Sequence, residues 1–123
     1  MSERVLIVDD HEAVRKVLRE LFQSEGFTCD EANDGEGSIK QAEKFRPDLI
    51  VLDFSMPVMN GLQAAPLLKK LLPQSPIILY TMHANSELVR LAGAAGISAV
   101  VSKEETNVHL MSKVHALLKP TLH

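Results

Sequence analysis

The chain has one cysteine, one tyrosine, four phenylalanines and no tryptophan among its 123 residues. Cys29 has no second thiol to pair with, so an intramolecular disulfide framework is excluded and a reducing compartment fits. The aromatics Phe22, Phe27, Phe45, Phe54 and Tyr80 are scattered and form no stacking platform. There is no basic tract, and 13 Lys and Arg against 16 Asp and Glu leave a net charge of −3. Direct nucleic-acid binding by this domain is therefore not expected. No apolar run approaches the length needed to cross a bilayer, and with charges at Glu3, Arg4, Asp9 and Asp10 residues 1–20 are not expected to be a signal peptide. Repeats, linkers and low-complexity segments are missing as well. These absences predict a soluble, cytoplasmic chain folded as one domain over residues 1–123.

What is present is alternation. Hydrophobic residues make up 46% of the chain, enough to fill a layered core. Short apolar runs at Arg4–Val8, Leu49–Asp53, Ile77–Thr81 and Ala99–Ser102 read as strands, with Phe27–Glu31 as a more polar strand suited to a sheet edge. Between them the spacing predicts helices over Glu12–Glu25, Glu36–Phe45, Leu62–Leu72, Asn85–Ala95 and Thr106–Lys119. Val14, Val17, Leu18 and Leu21 form the expected apolar stripe of the first helix, and Leu110, Met111, Val114, Leu117 and Leu118 that of the last. Pro66 is placed near the start of its helix, where a missing N–H costs least, yet one turn deep, where a bend in the helix is still open to it. Five βα units predict an α/β fold: a doubly wound, five-stranded parallel sheet with helices on both faces and the flavodoxin-like strand order 2-1-3-4-5.

Four of the runs end on a polar group: VLIV on Asp9 and Asp10, LIVL on Asp53, IILY on Thr81 and AVVS on Lys103. Ligands of open α/β sheets gather at these carboxyl ends, at the switch point between the first and third strands. Three converging carboxylates repel one another and raise each other's pKa values unless a cation compensates. A hard divalent ion held by carboxylates and water, Mg²⁺, resolves that conflict and neutralises an incoming phosphoryl group. Asp53 can then act as a nucleophile that forms an aspartyl phosphate, with Thr81 and Lys103 offering donors to the phosphoryl oxygens.

The ordered set of Asp9-Asp10, the run Asp53-Phe54-Ser55-Met56-Pro57-Val58-Met59-Asn60-Gly61, Thr81 and Lys103 closely resembles the receiver domain of two-component response regulators, over roughly residues 4–119. Each element alone is weak, whereas the DxxMPxMxG core in this order is specific. The resemblance implies a phosphorylation-operated switch that is not a turnover enzyme. It implies Asp53 as phosphoacceptor, Asp10 and Asp53 as direct Mg²⁺ ligands, Asp9 as a ligand through water, and the backbone carbonyl of Ser55 as a further one. Thr81 matches the switch hydroxyl and Lys103 the phosphate-pairing lysine. A sensor histidine kinase or phosphotransfer protein is the implied donor. The resemblance leaves four arrangements open: a receiver that stands alone and signals to a downstream protein, one in a phosphorelay, one that precedes an effector domain beyond residue 123, and one that dimerises on phosphorylation.

The match departs in places. Val100 stands three residues before Lys103, where the family usually has Tyr or Phe, and a stiff β-branched side chain cannot perform an aromatic's inward swing. Glu104 replaces a frequent proline, which predicts a rearranged loop after Lys103. Ser55 and His83 resemble a variable pair that tunes phosphoryl lifetime. His11 reads as an exposed start-of-helix residue able to touch the site, His109 and His115 as solvent-facing, and Cys29 as packing. Two other functions compete. A phosphatase of the haloacid dehalogenase type needs an acid two residues after its nucleophile, and Ser55 is there instead. A pseudo-receiver that binds proteins without phosphorylation is kept open by Val100.

Overall fold

The structure, a computed structural model, describes residues 3–105 and 107–118. Five strands, β1 (Arg4–Val8), β2 (Thr28–Ala32), β3 (Leu49–Asp53), β4 (Ile77–Thr81) and β5 (Ala99–Ser102), alternate with five helices. The helices are α1 (Glu12–Ser24), α2 (Gly35–Phe45), α3 (Gly61–Leu71), α4 (Ser86–Ala94) and α5 (Asn107–Leu118). All strands pair in parallel, in the order β2-β1-β3-β4-β5. This is the predicted doubly wound fold. Thr106 and Lys119, the expected ends of the last helix, lie outside the described residues.

Strand direction and handedness decide which face each helix covers. The chain steps one way from β1 to β2, then crosses back over β1 to reach β3 and continues through β4 to β5. Right-handed crossovers therefore put α1 on one face and α2, α3 and α4 on the other. The two cores record this division. Val5, Ile7, Leu49, Val51, Ile78, Tyr80 and Val101 pack with Leu18 and Phe22 of α1 and Leu110, Met111 and Val114 of α5. The intervening strand residues Leu6, Val8, Ile50, Leu52, Ile77 and Leu79 pack with Ala42, Ala64, Ala65, Leu68, Leu88 and Ala92. Such period-2 alternation, apolar on both sides, is what a sheet covered twice requires.

Local sequence sets the helix starts. Asp34 caps α2 by accepting the Gly37 N–H at 2.6 Å, and Asn85 caps α4 through Leu88 at 2.8 Å. Asn60 and Gln63 form a reciprocal capping box on α3. Most helix boundaries shift by one residue from the predicted ones, as fraying ends do. One expectation fails. Val17 is 55% exposed, because the buried stripe of α1 turns toward Leu18 and Phe22. Pro66 lies one turn into α3, where the sequence placed it, and the helix continues to Leu71 around the missing donor. The polar β2 does sit at the sheet edge.

The β3–α3 loop is the tightest connection. Gly61 donates to the Phe54 carbonyl at 2.8 Å, and a Cβ there would lie 2.5 Å from the Asp53 carbonyl oxygen. Val58 has φ +69 and is fully exposed. The Met59 N–H reaches back to the Pro57 carbonyl at 2.7 Å, closing a γ-turn around it. A β-branched residue in that region is strained, while Met56 and Met59 anchor the loop from below. Val58→Gly should therefore raise stability by about 1 kcal/mol, seen as a higher melting temperature, because the strain relieved exceeds the added chain entropy. Gly61→Ala should lower it by at least ~2 kcal/mol in the same thermal melts, since backbone rather than a flexible side chain must move.

Candidate functional site

The carboxyl ends of β1, β3, β4 and β5 meet as expected, and Asp9, Asp53 and Thr81 are the polar groups buried there. Asp9 is held at every oxygen. Its Oδ1 accepts the His11 backbone N–H at 2.9 Å, and its Oδ2 accepts the Lys103 ammonium at 2.7 Å. The Asp9 carbonyl accepts from the Arg15 guanidinium at 2.8 Å. Arg15 in turn pairs with Glu31 at 3.1 Å, and Arg19 joins the same carboxylate. The acid loop is thus tied to both α1 and the edge strand.

Lys103 reaches the site because its N–H continues the β4–β5 pairing, donating to the Thr81 carbonyl at 2.7 Å. Its ammonium is also 3.1 Å from Asp53 Oδ1 and 5.9 Å from the centre of the Tyr80 ring. The following turn is closed by Glu105 N–H to the Ser102 carbonyl at 3.0 Å and Glu104 N–H to Ser102 Oγ at 3.1 Å. No peptide bond among the described residues is cis.

The electrostatics follow from two buried carboxylates sharing one ammonium. Burial, and next the charge of Asp9, push the Asp53 carboxyl above its ordinary value against the pull of Lys103. Burial also works to lower Lys103, but its hydrogen bond to Asp9 and the charge of Asp53 prevail and hold the ammonium above the usual lysine range. Asp10 is more open, with 29% of its side chain exposed. Ligand atoms of Asp9, Asp10, His11 and Asp53 all lie within 4.8 Å of one another, close enough for one cation. Negative charge exceeds what Lys103 supplies, and the oxygens are hard donors, so the residues fit a hard divalent ion.

A cavity of about 540 Å³ opens beside Asp53, and Ser55, Thr81, His83 and Lys103 line it with His11. The His83 N–H approaches Thr81 Oγ1 at 3.4 Å. Val100 is not in this wall. It pairs in register with Leu79 and packs against the core on the α2–α4 side. Two residues matter more than their sequence positions suggested. His11 comes 3.0 Å from Asp10 and 3.2 Å from Asp9, a contact signalled only by its place after the acid pair. Arg15 gave no signal, because its partners come from another strand and from a backbone carbonyl. His109 pairs with Glu105 at 2.8 Å, and burial raises the Cys29 thiol, consistent with a packing role.

A five-stranded parallel sheet in the order 2-1-3-4-5, with an acid cluster and a lysine at its switch point, defines a flavodoxin-like α/β domain. The profile of the response regulator receiver domain matches residues 5–115, and the chain belongs to that family. It is 30% identical over 118 residues to the chemotaxis protein CheY of Halobacterium salinarum, covering 96% of this chain and 98% of that protein. It is 35% identical over 122 residues to the response regulator MprA of Mycobacterium ulcerans, covering 98% of this chain but 52% of that one. The chain thus spans about half the length of the mycobacterial relative. A CheY structure from Borrelia burgdorferi, in a CheX-CheY-BeF3-Mg+2 complex, aligns with TM-score 0.90 at 26% identity, covering 96% of this chain and 90% of that one. Receiver domains are signalling switches of two-component systems and bind Mg²⁺ at an acidic pocket. Among the described residues no helix is long and apolar enough to cross a membrane.

The raised Asp53 pKa makes a stability prediction. A carboxyl whose folded-state pKa exceeds its unfolded one contributes stability below the unfolded value, and that contribution is lost as the pH rises through the folded one. Ionised Asp53 is therefore a cost at neutral pH without a bound cation. In chelator, Asp53→Asn should melt a few degrees higher than wild type at neutral pH, and the gap should close as the pH falls through the raised pKa. Thermal denaturation followed by circular dichroism measures both.

Proposed function

We propose that this domain accepts a phosphoryl group on Asp53 and works as a phosphorylation-operated switch. The observation that carries the reading is the Asp53 carboxylate itself. It is buried at the end of a strand, 3.1 Å from Lys103, within the four-residue acid cluster, and beside an open cavity. Asp10 and Asp53 would hold Mg²⁺ directly, Asp9 through water, and the Ser55 backbone carbonyl would complete the protein's share. The burden already on both Asp9 oxygens supports its indirect part. When bound, Mg²⁺ supplies positive charge against the phosphoryl oxygens.

The protein's own groups do the rest. An Asp53 oxygen attacks phosphorus in line with the leaving group, the O–P bond forms as the donor's N–P bond breaks, and the electron pair stays on the donor imidazole. A sensor histidine kinase or phosphotransfer protein is that donor. Lys103 exchanges one carboxylate contact for a phosphoryl oxygen, and the Thr81 hydroxyl donates to another. Attack by water reverses the modification. Ser55 leaves that water room, and His83, whose N–H approaches the Thr81 hydroxyl, tunes its access. With Ser55 where a phosphatase would need an acid, no turnover on external esters is expected.

Phosphorylation replaces the single charge of the Asp53 carboxylate with a phosphoryl group carrying about −1.5 to −2 beside Thr81, and changes the β4–α4 loop first. Val100, partly buried, packs against the core, so the change reaches α4 and α5 without an aromatic swing. That altered face then meets a downstream protein, an effector domain or a second copy. The CheX complex of the Borrelia protein supports partner binding of this kind. Incubation with Mg²⁺ and a small acyl phosphate should add a single phosphoryl mass to the wild type and none to Asp53→Asn, read by intact-protein mass spectrometry. An unmodified wild type that also fails to bind beryllofluoride would leave the pseudo-receiver reading in its place.

A further inference from the structure

Past the end of β1 the backbone of Asp9 is held at both of its polar atoms. Its N–H donates to the Ala32 carbonyl of β2 at 3.1 Å. Its carbonyl lies beyond the last β1–β3 register pair, Val8 with Leu52, and accepts from Arg15 Nη1 at 2.8 Å. The same guanidinium donates through Nε to Glu31 Oε1 at 3.1 Å, and Arg19, one helical turn on, donates to the other oxygen of that carboxylate. The Arg15 side chain is 16% exposed, against 35% for Arg19. One planar fork thus joins α1, the acid loop and the edge strand.

The Asp9 carbonyl matters because of what shares its plane. A peptide unit is flat, so the carbonyl oxygen, the Asp10 nitrogen and the Asp10 Cα turn together. With the Asp9 N–H paired to β2 and its carbonyl held by Arg15, the Asp10 Cα has a fixed place. The other two acids are secured by themselves. The Asp9 carboxylate is engaged by the His11 N–H and by Lys103, and Asp53 is buried at the end of β3. The Asp10 side chain is 29% exposed, and among the described residues it meets a ring that is itself 67% exposed. Its aim is inherited from the backbone.

We propose that Arg15 is a positioning residue, which orients Asp10 for Mg²⁺ through the Asp9–Asp10 peptide and is itself oriented by Glu31. The inference rests on the metal-dependent reading of the pocket, and adds a group outside it that keeps its most exposed acid in place. Charge alone predicts the opposite sign. A guanidinium near the acids repels a cation, so deleting it would tighten Mg²⁺ binding if electrostatics decided. Loss of positioning weakens it. A lysine keeps the charge but has one compact head, and cannot serve Glu31 and the carbonyl together as a fork does.

Calorimetric titration of Mg²⁺ into the whole chain is the direct test. Arg15→Met, which keeps much of the stem, should weaken Mg²⁺ binding by about tenfold, the cost typical of losing a group that orients a ligand. Arg15→Lys should lose a comparable factor in spite of its charge. Arg19→Ala removes a pair to the same carboxylate without touching Asp9, and should bind Mg²⁺ like the wild type. Glu31→Gln should weaken binding too, and adding it to Arg15→Met should cost nothing further, because Glu31 acts through Arg15. In acyl phosphate reactions the Mg²⁺ concentration for half-maximal modification should rise in Arg15→Met, while the rate at saturating Mg²⁺ holds. A folded Arg15→Met that binds Mg²⁺ as tightly as the wild type, or tighter, would overturn the proposal, as would an equal loss in Arg19→Ala. Should Arg15→Met not fold, undiminished affinity in Arg15→Lys and Glu31→Gln overturns it in the same way. If Arg15→Met binds normally and wild-type Asp53 is modified, the positioning role alone falls. If the wild type binds no Mg²⁺, the metal-dependent reading and this inference fall together.

Discussion

One ammonium holds the working end of this sheet together. Lys103 Nζ lies 2.7 Å from Asp9 and 3.1 Å from Asp53, all three nearly buried, and joins the ends of β5, β1 and β3. Removing one partner of a buried ionic set leaves the others uncompensated, which costs far more than a surface pair. Yet the set is not neutral. Two carboxylates share a single positive charge and Asp10 stands beside them, which is why the Asp53 carboxyl is driven upward. The fold is thus built around a deficit of positive charge at the open ends of its strands.

Around that deficit the backbone is constrained on three sides. Arg15 fixes the Asp9 carbonyl from α1. The β3–α3 loop folds back so closely that only Gly61 fits against the Asp53 carbonyl. The Lys103 N–H extends the β4–β5 pairing past the strand end. These constraints leave the cavity next to Thr81 and His83 as the open side of the site. Val100, partly buried, packs beside its register partner Leu79 and takes no part in lining that cavity.

Much of this was legible in residue order. Apolar runs of strand length ending in Asp9, Asp53, Thr81 and Lys103 announced both the sheet and the convergence of those groups. Period and caps located the helices to within a residue or two. Val17 escaped because four positions on a stripe do not say where its centre lies, and Phe22 drew the helix round. His11 was visible as a neighbour of the acids, but the turn of its ring toward them was not.

The sequence by itself determined the fold class, the strand order's plausibility and the cast of the site. Hydrophobic periodicity and strand-end position are one-dimensional properties, readable along the chain. Only the tertiary structure decided the relations: that Lys103 bridges Asp9 and Asp53 across 94 residues of separation from Asp9, that Arg15 props a carbonyl, and that Val100 leaves the cavity. Those depend on distances between segments remote in the chain, and on which of several charges share one buried volume. Burial and charge act through space, and only a folded chain assigns them their strength.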